Sequence, residues 1–307
     1  MLMFNAEEAG IVVKFEKKDT PQKVNIKLFR QGPKDIRLND TKISQKELIG
    51  TLNTVIFCPE DLQLIKGTPS GRRRFLDMEI SQTSATYYHQ LMQYNRLLQQ
   101  RNAILKEYRG KQNIPLEEWD LQLADMASFI VKKRLESLKK INLLIDLMNR
   151  KLTGGLENLT IGYEQPYMDN GSLEYTKEGF YERIKVALPQ DRHRLTTSVG
   201  PHRDDLRFFS DAMDLKKFGS QGQQRTAVLS LKLSELEFIK SEVGEYPVLL
   251  LDDVLSELDE SRRANLLQFI HKRIQTFITT TDIHDFKDLK SVQFISCEGG
   301  KVQYGQP

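Results

Sequence analysis

The sequence predicts an α/β fold, and three observations carry that prediction. The first 60 residues alternate apolar and polar positions as strands do, residues 72–148 carry apolar side chains at helical spacing, and beyond Pro189 strand and helix patterns take turns. The 307 residues are 28% charged and 39% hydrophobic, with a mean hydropathy of −0.48. That balance supports a buried core, excludes a membrane protein and argues against wholesale disorder.

Ile11, Val13 and Phe15 alternate with polar residues, as do Val24, Ile26 and Leu28, and Asp19, Thr20 and Pro21 between them read as the turn of a hairpin or meander. Gly32-Pro33 and Asn39-Asp40 mark the next turns, and Asn53 to Phe57 forms a short strand ended by Cys58-Pro59. Tyr87, Leu91, Tyr94, Leu98 and Leu105 then form one helical stripe. Trp119, Leu123, Met126 and Ile130 form another, continued by Leu135, Leu138, Ile141, Ile145 and Met148. The break from Gly110 to Pro115 predicts two long helices folded back as an antiparallel hairpin, with a shorter helix before them. Thr153, Gly154 and Gly155 close the second long helix. Leu156 to Tyr163 reads as a strand, Asp169-Asn170-Gly171 as a turn, and Glu174 to Leu188 as a helix. After Pro189 the order strand, loop, helix, strand, helix, strand predicts a half-built layer of parallel strands.

A net charge of +3 does not separate a nucleic-acid binder from any other soluble protein. Local clusters carry more information: Arg72-Arg73-Arg74, Lys132-Lys133-Arg134, Lys139-Lys140, Lys216-Lys217 and Arg262-Arg263 are each interspersed with apolar residues that would turn the charges outward. Arg72, Arg73, Lys132, Lys133 and Arg134 are the candidate DNA-binding residues. Cys58 and Cys297 share no short spacing with each other or with a histidine, so neither a disulfide framework nor a zinc site is indicated. The first residues show no secretory signal, and a cytoplasmic location is expected.

The chemistry concentrates in two segments. Val248 to Leu251 is a continuous apolar run ending in Asp252 and Asp253, the pattern of a central parallel strand buried on both faces. Ligands bind at the carboxyl edge of such strands, where one acid can hold hydrated Mg2+ and the other can orient a water; two acids can equally cap a following helix. Upstream, Phe218 to Thr226 leads into a helix with Leu229, Leu233 and Leu236. Small residues before a helix expose its free amides to phosphate, Ser220 offering a hydroxyl and Gly222 an open approach; the bland alternative is an N-capped loop.

Together these segments resemble the ATPase head of the ABC superfamily. Ser220 to Arg225 is similar to its signature motif, Val248 to Asp253 to its Walker B strand, and Ser256 to Asp259 to its D-loop. More narrowly, Thr197 to Leu206, Phe218 to Thr226, Phe57 to Leu62 and Arg72 to Asp77 resemble the RecF family of bacterial recombination mediators over nearly the whole chain. The resemblance implies an α/β, P-loop NTPase-like head with a truncated first lobe (1–70), an inserted helical-hairpin arm (71–190) and a second lobe (191–307). It implies a slow ATPase that dimerises around ATP, binds DNA at junctions of single and double strands, works with RecR and RecO, and helps load recombinase at gaps. On it Asp252 would organise Mg2+ and Asp253 the attacking water; Ser220, Gly222 and Gln223 would contact ATP of the opposite subunit, and Ser256 and Asp259 would lie at the dimer interface.

The pattern departs from the family in two places. The phosphate loop G-x-x-x-x-G-K-S/T is nowhere in the 307 residues: Gly67 to Arg72 has the wrong spacing, and Gly299-Gly300-Lys301 is followed by Val302. The chain is expected to begin after that loop and to bind ATP weakly. After Phe277 to Thr281, threonine or Asp282 stands where a switch histidine is expected, with His284 arriving late. His202 and Asp204 are expected to buttress the nucleotide site. Two competing readings are a nucleotide-independent DNA or partner-binding module and a Mg2+-dependent nuclease built on Asp252, Asp253, Asp204 and Asp205.

Overall fold

The computed structural model describes residues 2, 6–110, 114–167, 175–281, 286 and 292–305. The turn expected at Asp169-Asn170-Gly171, and the residues Asp282 and His284, lie outside these. Strands β1 (Glu8–Lys17), β2 (Thr20–Phe29), β3 (Asp35–Leu38) and β4 (Thr41–Ile43) form an antiparallel meander in sequence order. Ile11 pairs with Ile26 and Val13 with Val24, so the alternation sets the register. The first turn is shorter than expected: Lys18 and Asp19 alone reverse the chain, both with positive φ (47° and 59°), while Thr20 and Pro21 already belong to β2. Two left-handed residues in succession match the right-handed twist of a hairpin.

After α1 (Gln45–Leu48), strand β5 (Thr54–Phe57) leads through a 3-10 turn at Pro59–Leu62 to α2 (Gln63–Lys66). The arm follows as α3 (Pro69–Thr83), α4 (Ala85–Glu107) and α5 (Glu117–Thr153), the short helix and long hairpin that the stripes predict. Tyr87, Tyr94, Leu105, Leu123, Ile130, Ile141 and Ile145 of those stripes are buried. Arg101, fully buried, reaches Asp120 at 2.6 Å near the hairpin tip, and Arg134 reaches Tyr87 and Asp77 at its base, which makes α4 and α5 antiparallel.

Strand β6 (Leu159–Glu164) is followed by α6 (Lys177–Arg194), which does not stop before Pro189 as expected but runs five residues past it. The turn after the proline is held from outside: Asp191 is buried and accepts from Arg101 at 2.7 Å and from the Ser198 hydroxyl at 2.5 Å. Strands β7 (Asp205–Ser210) and β8 (Met213–Asp214) then pair antiparallel with β6 in the order β6-β7-β8. The expected parallel layer therefore does not include β7.

Helix α7 (Leu215–Phe218) precedes α8 (Gln221–Val243), β9 (Val248–Asp252), a 3-10 turn at Leu255–Glu257, α9 (Glu260–Ile270) and β10 (Thr276–Thr279); β11 (Ile295–Glu298) and β12 (Lys301–Tyr304) form a separate hairpin. The parallel sheet has the order β10-β9-β5, so its third strand comes from the first 70 residues and joins them to the last segment. Strand β9 is central, as expected, but only one of its faces is buried. Val55, Phe57, Leu249 and Leu251 pack inward, whereas Ile56 (51% exposed), Leu250 and Phe277 (52% exposed) lie side by side across the three strands on the other face. Helix α8 is buried almost all round from Gln224 to Ile239 and forms the spine between the sheet and the arm.

Candidate functional site

The site is built at the carboxyl end of β9. Asp252 ends the strand and Asp253 follows with φ 52°, a left-handed conformation that a non-glycine residue holds only when its surroundings impose it. Thr279 on the neighbouring strand imposes it: its hydroxyl donates to Asp252 Oδ1 at 2.7 Å and accepts from the Asp253 amide at 3.1 Å. Ser256 closes the other side, its hydroxyl donating to the Asp253 carbonyl at 2.8 Å. Both carboxylates are exposed, and neither caps a helix; the N-cap of α9 is Asp259, which accepts from the Arg262 amide at 2.9 Å. The helix-capping alternative for Asp252 and Asp253 is thereby removed. Val254, Leu255 and Leu258 are buried, which anchors the loop and leaves Ser256 and Asp259 facing solvent.

At the start of α8, Ser220 caps the helix: its hydroxyl accepts from the Gln223 amide at 3.2 Å, and the Gln223 Oε1 accepts from the Ser220 amide at 3.0 Å. The Gln223 side chain also donates to Glu157 at 3.0 Å. A Cβ on Gly222 would meet nothing closer than 3.9 Å, so the packing of the chain itself does not require glycine there. Arg262 joins the two halves. It pairs with Asp259 and donates to Thr226 Oγ1 at 2.8 Å, which in turn donates to the Gly222 carbonyl at 2.9 Å. Sequence reasoning placed Arg262 only in a basic cluster and Thr279 only near the switch position. The signal for Thr279 is its place at the end of the strand that pairs with β9.

The basic candidates separate by burial. Arg72 is 3% exposed and bidentate with Asp205 at 2.8 Å, and Arg134 is 2% exposed between Asp77 and Asp204. Neither turns its charge outward, contrary to expectation; a buried guanidinium needs its carboxylates. Lys132 is exposed, Lys133 pairs with Glu136 at 2.7 Å, and Arg73 is half-buried. His202 and Asp204 do not reach the nucleotide site either. His202 bonds Tyr94 at 2.6 Å and the Thr197 carbonyl at 3.0 Å, and Asp204 accepts from Tyr163, so both brace the base of the arm. Burial pushes the His202 imidazole down to about 4. With Asp204 and Asp205 committed to arginines, the four-carboxylate nuclease set does not assemble; among the described residues no group of three or more His, Cys, Asp or Glu could hold a metal. No helix among them is long and apolar enough to cross a membrane.

No family model matches the chain. Relatives described as DNA replication and repair protein RecF do. That of Alkaliphilus oremlandii is 46% identical over 293 residues, 94% of this chain and 80% of the relative. That of Halalkalibacterium halodurans is 41% identical over 312 residues, 99% of this chain and 83% of the relative. The solved structure of the recombination mediator protein RecF with ATP in the RecFOR pathway superposes with TM-score 0.89 at 34% identity, covering 99% of this chain and 81% of that one. An Smc head bound to the C-terminal winged-helix domain of ScpA superposes with TM-score 0.52 at 14% identity over 98% of this chain and 74% of that one, a likeness of fold. The ABC-type ATPase-head fold, the post-strand acids, the capped signature helix and the identity to these relatives agree: the chain belongs to the RecF family of DNA replication and repair proteins.

Proposed function

We propose that the chain binds DNA at gaps, that its α8 amino terminus and its loop 252–259 form two halves of an ATP site shared between two copies, and that it works with RecR and RecO. The observation that carries this reading is the Arg262 bridge from Asp259 to Thr226, which ties the loop after β9 to the first turns of α8. The open space over Gly222 and the exposure of Ser256 and Asp259 suit the approach of a second subunit's nucleotide and loop.

In the shared site Asp252 is the residue that would hold Mg2+, an exposed carboxylate with one oxygen steadied by Thr279. The ion, when bound, would neutralise charge on phosphate oxygens. Asp253, fixed through its backbone by Thr279 and Ser256, would accept a proton from the attacking water and orient it. Ser220 and the free amides of the first turn of α8 would receive the γ-phosphate. The 307 residues supply no loop to cradle the β- and γ-phosphates, so this polypeptide alone holds ATP weakly and its DNA binding does not wait on ATP. A gel shift of the purified chain with gapped duplex, with and without ATP and Mg2+, tests the reading. The expected result is a shift equal in both lanes; no shift in either overturns DNA binding by this chain.

A further inference from the structure

A cleft of about 390 Å3 opens between α3, α4 and the 197–203 loop, and no residue of the α8 amino terminus or of the loop 252–259 lines it. That volume lies within the roughly 300–1,000 Å3 of small-ligand sites. Three arginines line it, and their charges are not equivalent. Arg134 is spent: its guanidinium donates to both oxygens of Asp77, at 3.0 Å each, and to the Pro201 carbonyl at 2.7 Å. Arg73 makes one hydrogen bond, at 2.8 Å, to the backbone carbonyl of Asp204, and the Asp204, Asp205 and Asp77 carboxylates act on its charge without forming an ion pair with it. Arg74 is exposed and bonds no described residue. His202, with both ring nitrogens engaged and its pKa lowered, adds no charge.

The facing wall is of another kind. Tyr88 and Leu91 on α4 give an aromatic and apolar surface, and the Tyr88 hydroxyl has no described partner. The wall behind is rigid, because Gly200 (φ 129°) brings the loop so close that a Cβ there would sit 2.3 Å from the Tyr94 hydroxyl. The exposed Arg74 guanidinium and the half-buried Arg73, beside an aromatic side chain, match the parts of a nucleotide, phosphate on one side and base on the other.

We propose that this cleft binds one nucleotide of a DNA strand, its phosphate on Arg73 and Arg74 and its base against Tyr88. The inference rests on the DNA-binding reading above and adds its location. Anisotropy of a labelled ten-nucleotide oligo(dT) with the purified chain, across a salt series, is the test. Arg73→Ala with Arg74→Ala should weaken binding at least tenfold and flatten the slope of log affinity against log salt by about 1, since lost phosphate contacts reduce counterion release. Tyr88→Ala should weaken binding roughly tenfold and leave the slope unchanged, because stacking carries no counterion term. Lys132→Ala with Lys133→Ala is the surface control and should have a smaller effect.

Arg74→Glu alone, at an exposed position, guards against a folding artefact and should reproduce most of the loss. Oligo(dT) bound by the wild-type chain with the arginine variants unchanged would overturn the cleft and leave DNA binding standing. Oligo(dT) not bound by the wild type would overturn both. Thymidine monophosphate or inorganic phosphate competing as well as the strand, nucleotide for nucleotide, would overturn the assignment to a strand.

Discussion

Charge at the level of single residues is decided by burial. Arg72, Arg73 and Arg74 are consecutive, yet one is paired inside, one is half-buried and one is free, because successive helical residues point about 100° apart. The sequence made the cluster legible but not this partition, which depends on Asp205 lying 133 residues away. A second buried group has a consequence for pH. Glu79 on α3 lies against Lys232 and Asp61, which are 3.2 Å apart, and Lys232 also pairs with Glu235 at 3.4 Å. Burial pushes the Glu79 carboxyl up to about 7, against the pull of Lys232. The unfolded chain releases this proton near 4.5 while the folded chain keeps it to about 7, so stability falls as pH rises through that window. Glu79→Gln should leave stability nearly unchanged at pH 5 and raise it by roughly 3 kcal/mol at pH 8 in urea unfolding. Equal stability of the two proteins at pH 8 would contradict this.

Among the elements, the arm was the most legible. Its apolar stripes run for many turns and need only local periodicity, and Tyr87, Tyr94, Ile130 and Ile145 are buried as the stripes require. The partnership of β5 with β9 was hidden, because pairing across almost 200 residues leaves no local trace. Strand β7 was misplaced for the same reason: its alternation fits any sheet, and β6 supplies its partner. The continuous apolar pattern of β9 overstated its burial, since Leu250 sits between the exposed Ile56 and Phe277. Buried ion pairs add to the apolar packing at the base of the arm. Arg134 on α5 holds Asp77 on α3 and Asp204 just before β7. Asp77→Ala leaves that guanidinium buried with Asp204 at 3.4 Å and should cost about 3 kcal/mol in denaturant unfolding. A loss below about 1 kcal/mol would show that the pair is dispensable, as surface pairs are.

For the whole molecule, the sequence motifs pointed to the end of β9 and the start of α8, and the fold added the parts that hold them. Thr279 supports Asp252 and Asp253 from the next strand, and Arg262 ties the loop after them to the signature helix. Those two roles were not legible because each depends on a neighbour brought in by tertiary structure. The proposal tested most directly is that these 307 residues, which contain no G-x-x-x-x-G-K-S/T loop, bind ATP weakly by themselves. Equilibrium dialysis of the purified 307-residue chain against labelled ATP with Mg2+ measures this directly. The expected Kd is above about 1 mM, weaker than about −4 kcal/mol. A Kd in the low micromolar range, about −7 to −8 kcal/mol, would contradict it.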